Sequence, residues 1–108
     1  MKKILALSLI VASPTFAKGF PDGSSLSSPA IAKCAAAALK FDMQLWKKWY
    51  AATKGRYEII YKDKMSAKEI ESYTMERVFD KKAKLQREGF DSKRAFKKYF
   101  KMNCEGEL

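Results

Sequence analysis

The sequence predicts a small all-α domain of three helices, closed by one disulfide and preceded by a cleavable signal peptide. Three observations predict it. Apolar residues recur with a helical period over one long stretch, Pro29 to Thr53. Two later stretches carry helix start and stop residues at workable spacings. The two cysteines, Cys34 and Cys104, lie near opposite ends of the part that would fold.

Met1-Lys2-Lys3 is a positive start, and Ile4 to Ala12 is apolar apart from Ser8. Thr15-Phe16-Ala17 then places small residues at the spacing a signal peptidase reads. Residues 1–17 therefore read as a bacterial-type Sec signal peptide, cut after Ala17. The apolar run is too short for an anchor, because a span needs about 20 apolar residues. The expected product is periplasmic or secreted. Its formal charge falls from +10 to +8 once Lys2 and Lys3 are gone.

Residues 18–28 are rich in Gly, Pro and Ser and read as a flexible arm. The helical domain is expected over 29–108. Its first helix starts at Ser28-Pro29, a hydroxyl cap followed by proline in the first turn, and stops at Gly55. At about 100° per residue, Lys33, Lys40, Gln44, Lys47, Lys48 and Lys54 form one polar stripe. Ile31, Cys34, Ala35, Ala38, Leu39, Phe41, Leu45, Trp46, Trp49 and Tyr50 fill the remaining arc. So wide an apolar arc needs cover on two sides. Small residues from Ala35 to Ala38 would let another backbone come close. Asp42 falls within the apolar arc. A carboxylate there must be bonded or paired, which makes Asp42 a candidate recessed acid.

Lys54 to Met65 alternates Tyr57, Ile59 and Tyr61 with Glu58, Ile60 and Lys62, a strand-like pattern. With no second strand evident, an extended connector packed on the helices is the favoured reading. A helical continuation and pairing with another chain are the alternatives. The second helix is expected over 66–88: Ser66 and Glu69 match a capping box. Ala67, Ile70, Thr74, Val78 and Leu85 make its apolar stripe, widened by Met75 and Phe79. Gly89 suits the left-handed position after the helix, with Phe90 folding back on Leu85. Asp91-Ser92 caps a third helix ending near Asn103. Ala95, Phe96, Tyr99, Phe100, Met102 and Asn103 share one side of it, and Lys93, Arg94, Lys97, Lys98 and Lys101 share the other.

Two cysteines in a small exported domain predict a Cys34–Cys104 disulfide rather than a redox pair, which would favour C-x-x-C spacing. The chemistry of the remaining residues is narrow. There is no histidine, which excludes His-based acid–base catalysis, His-containing triads and the commonest metal ligand. Two cysteines alone do not make a structural zinc site. No phosphate-cradling glycine loop or nucleophile-elbow motif is present. No enzymatic activity, no metal and no cofactor are therefore expected.

The basic face of the third helix, Lys93, Arg94, Lys97, Lys98 and Lys101, is the clearest candidate interaction patch; a merely solvated face is the plainer reading. Trp46, Trp49 and Tyr50 are types that make interface hot spots, but in so small a domain they are expected mostly in the core. Export argues against nucleic acid as the native partner. The leading expectation is a small exported binding protein, such as an inhibitor or immunity-type partner of another envelope or secreted protein. The alternative is a basic envelope-surface or membrane-active protein that binds anionic lipid or polysaccharide. A general stress or chaperone role stands third.

Overall fold

The computed structural model describes residues 20–108. The signal peptide expected over 1–17 lies outside the described residues. The chain forms four helices: α1 (Ser28–Leu39), α2 (Met43–Ile60), α3 (Ala67–Arg87) and α4 (Lys93–Asn103), with no strand among the described residues. The all-α class and the Cys34–Cys104 disulfide stand as expected, with four helices in place of three.

The single long helix is broken at Lys40–Asp42. Asp42 is extended (φ −152°, ψ 106°), and its Oδ1 accepts from the backbone N–H groups of Gln44 and Leu45 at 3.0 and 3.1 Å. Aspartate competes poorly inside a helix and strongly at its start, where its carboxylate satisfies free amides. Upstream, the Lys40 and Phe41 amides tighten onto the carbonyls of Ala37 and Ala38, which closes α1.

Gly55 does not stop α2, which runs on to Ile60. A glycine stop needs a left-handed backbone, and among the described residues the positive-φ glycines are Gly23, Gly89 and Gly106. The expected extended connector is thus the last turns of a helix. Its strand-like alternation yields to packing: Tyr57 and Tyr61 set their rings 5.0 and 5.3 Å from Tyr73 of α3. The Tyr61 and Tyr73 hydroxyls are 3.3 Å apart. That bond and burial push the Tyr73 hydroxyl up to about 12.

α1 is the centre of the molecule, packed on α2, α3 and α4, and α2 also packs on α3. Ile31, Ala32 and Ala35 to Ala38 are fully buried. Methyl-sized side chains there let three neighbours approach one helix. α3 contributes Ile70, Thr74, Val78 and Leu85 to the core. Its apolar stripe is narrower than expected, since Ala67, Met75 and Phe79 are exposed. The capping box of Ser66 and Glu69 is formed. So is the turn after α3: with Gly89 at φ 102°, the Gly89 amide donates to the Gln86 carbonyl at 3.1 Å. The Phe90 amide donates to the Leu85 carbonyl at 2.9 Å.

α4 runs beside α1, and its aromatic side chains also reach the start of α2. Phe96 and Phe100 are buried, and Phe100 meets Phe41 and Trp49 edge-on at centroid distances of 5.5 and 5.6 Å. Met102 and Asn103, expected on the covered side, are exposed. Cys104 caps the helix and joins Cys34 in the middle of α1, with their Cα atoms 5.8 Å apart.

Candidate functional site

The outward face of α4 holds Lys93, Arg94, Lys97, Lys98 and Lys101, all exposed. Ser92 positions them by capping the helix, its hydroxyl accepting from the Ala95 amide at 3.0 Å. Burial of Phe96 and Phe100 on α1 then fixes which side faces out. α4 contains no acid, and among the described residues none of its five cations is in an ion pair. α3 differs: its exposed surface mixes Glu69, Glu71, Glu76 and Asp80 with Lys68, Lys84 and Arg87. The α4 face is therefore a site of concentrated positive potential on a rigid support.

The other sequence candidates fall elsewhere. Asp42 does not sit within the apolar arc of one helix; it caps α2, half-buried, with two backbone amides as its donors. Trp49 is buried, while Trp46 and Tyr50 are half-buried and lean on one another at 5.0 Å between rings. Cys34 and Cys104 are bonded to each other, and the described residues hold no free cysteine.

Sequence reasoning missed a second polar centre. Arg56 on α2 is 2% exposed, and each of its five N–H groups has an acceptor in the segment 20–28. Nε and Nη2 grip the Asp22 carboxylate at 2.8 and 3.0 Å. Nη2 also reaches the Ser24 carbonyl at 3.2 Å, and Nη1 reaches the Leu26 carbonyl and Ser28 Oγ at 2.7 and 3.5 Å. The Phe20 ring covers the guanidinium at 4.4 Å. The expected flexible arm is thus, over its described part, fastened to α2. This grip holds the Asp22 carboxyl below its usual range, chiefly through the Arg56 hydrogen bonds. The signal was a lone acid, Asp22, in a stretch of Gly, Pro and Ser, and a cation on the same stripe as Trp49 and Thr53 once α2 is allowed to continue.

The arrangement around Arg56 is saturated, so it holds structure rather than offering an open site. A broad, open depression of about 770 Å³ lies at the start of α3, lined by Met65, Ser66, Lys68, Glu69, Ser72, Tyr73 and Glu76. Its charges oppose one another and its mouth is wide. No group of three metal-ligating side chains occurs among the described residues, and no described helix is long and apolar enough to cross a membrane. Comparison with protein-family models, curated proteins and solved structures finds no match.

Proposed function

We propose that this chain is an exported, non-catalytic binding protein that meets an acidic protein of the cell envelope through the outward face of α4. The exposed, unpaired row of five cations carries the reading. Such a row steers an acidic partner and raises its rate of encounter, and contributes less to the final affinity. The disulfide suits an oxidising compartment. An inhibitor or immunity-type role fits a small, stapled domain that presents a rigid charged surface.

The test is capture from envelope extract on the oxidised protein, with a Lys97→Glu/Lys101→Glu variant alongside. The expected result is one retained protein that persists in high salt and associates more slowly with the variant. Retention that disappears in moderate salt, or that the variant leaves unchanged, overturns the reading.

A further inference from the structure

We propose that α4 is a detachable membrane-binding helix, and that the Cys34–Cys104 disulfide gates its release. This proposal concerns the reduced protein and does not rest on the acidic-partner reading, which concerns the oxidised one.

Three observations lead there. The first is how α4 is held. Among the described residues no hydrogen bond or ion pair joins α4 to α1, α2 or α3. Its links to the rest are the apolar contacts of Phe96 and Phe100, the latter reaching Trp49 of α2, the Tyr99 ring 5.2 Å from Phe90 and 5.7 Å from the Lys33 ammonium, and the disulfide. An attachment made of apolar contacts is not directional, and the boundary of a bilayer offers the same burial.

The second is the pattern of α4 itself. Phe96, Tyr99 and Phe100 share one side, and five cations share the other without a single acid. That is the composition of a helix that lies in the plane of an anionic membrane, aromatic side down, with lysines at the headgroups.

The third is where the fastenings lie. At its start α4 joins α3 through Gly89–Ser92, where Gly89 takes φ 102°. At its end Cys104 is bonded to α1. With both ends tied, the aromatic side stays on α1. Cutting the second tie leaves α4 on a glycine-containing hinge. The remaining helices α1, α2 and α3 each pack on the other two, so the core keeps its mutual contacts when α4 leaves.

Release takes two electrons and two protons from a dithiol reductant. The S–S bond breaks, Cys34 and Cys104 become thiols, and the donor is left as its own disulfide. Both cysteines are buried, so thiolate attack follows fraying of the chain end around Cys104, with Phe96 and Phe100 still in place.

The experiment compares sedimentation of the oxidised and dithiothreitol-reduced protein with phosphatidylglycerol vesicles and with neutral phosphatidylcholine vesicles. A Cys34→Ala/Cys104→Ala variant needs no reductant and removes its side effects. The expected result is about tenfold or more binding to phosphatidylglycerol by the reduced and Cys-free forms, with none to phosphatidylcholine. Adding Phe96→Ser to the Cys-free form abolishes it. Amide exchange separates release from general unfolding. Without vesicles, α4 amides exchange quickly in the reduced protein while those of α1 to α3 stay protected. With vesicles, α4 regains protection. Equal vesicle binding by oxidised and reduced protein, no binding by either, or loss of α1–α3 protection on reduction each overturns the proposal.

Discussion

The two ends of the described chain are fastened to the same core by opposite means. Residues 20–28 are held by a buried, fully satisfied guanidinium on α2. α4 is held by apolar contacts and one covalent bond, with no polar bond to the other helices among the described residues. The first fastening is directional and specifies one geometry for a segment with little apolar content. The second is strong but unspecific until the sulfurs meet, and it leaves the whole outward face of α4 free of structural duty. The N-terminal segment spends its charged residue on structure; α4 spends none.

Removing the staple is expected to have the largest effect. Cys34 and Cys104 are 70 residues apart, and closing so long a loop restricts the unfolded chain by about 4 kcal/mol in the chain-entropy model. Urea unfolding of the Cys34→Ala/Cys104→Ala variant measures it. A loss well under half that figure would mean that the apolar face of α4 holds the end of the chain without help.

Breaking the other fastening comes next. Arg56→Ala strands Asp22 and three further acceptors, and removal of one partner from a buried pair costs about 3 kcal/mol or more. The side chains of Arg56 and Asp22 are 2% and 9% exposed, so solvent does little to relieve the loss. The same pair sets a pH dependence. Because the folded carboxyl of Asp22 lies below its ordinary 3.8, its contribution is fully present above that value and is lost as pH falls through the lowered folded one. Acid titration of stability shows this in the parent protein, and the dependence disappears in Asp22→Asn.

These two fastenings were unequally legible in the sequence. The disulfide follows from two cysteines and the expectation of export, without any geometry. The capping box at Ser66 and the turn at Gly89 were equally plain, because each is a local device whose partners lie within a few residues. The Arg56 clamp joins residues about thirty positions apart and needed a correct α2 before it became visible. Two local readings stood in the way. Asp42 is the one misfit on a long helical wheel, and a misfit acid signals a cap as well as a buried charge. Gly55 suits a helix stop by residue type, and the alternating pattern after it points the same way. In the folded chain the Arg56 clamp and the tyrosines packed on Tyr73 carry the helix through it. The cationic face of α4 was legible in full, since a short amphipathic helix sorts its residues by spacing alone. Met102 is exposed because it falls at the edge of the apolar arc, next to Lys98, while burial continues past it to Cys104.

Gly55 offers a smaller test of the same comparison. It lies in α2 next to Arg56, in a helical conformation, and a Cβ there meets nothing within 4 Å. Gly55→Ala is therefore expected to stabilise the protein by about 0.5–1 kcal/mol, through helix propensity and a less flexible unfolded chain. Thermal unfolding detects it. Destabilisation would show that the clamp needs the freedom of a glycine beside it.

The smallest expected effect on stability is the most informative about function. Lys97→Glu with Lys101→Glu reverses two exposed charges that make no ion pair among the described residues. Exposed substitutions of this kind stay within about 0.5 kcal/mol. Of the two, the one at Lys101 carries more of the change, because it lies in the last turn of α4, where a cation complements the helix dipole and an anion opposes it. The corresponding reversal on the N-terminal side has no such latitude, because Arg56 is engaged in every direction. If the melting temperature of the double variant stays near that of the parent, the five cations are not needed for the fold, and any change in association is an effect on the surface alone. A large loss of stability would mean that this face is engaged as Arg56 is, and the contrast between the two ends of the chain would fail.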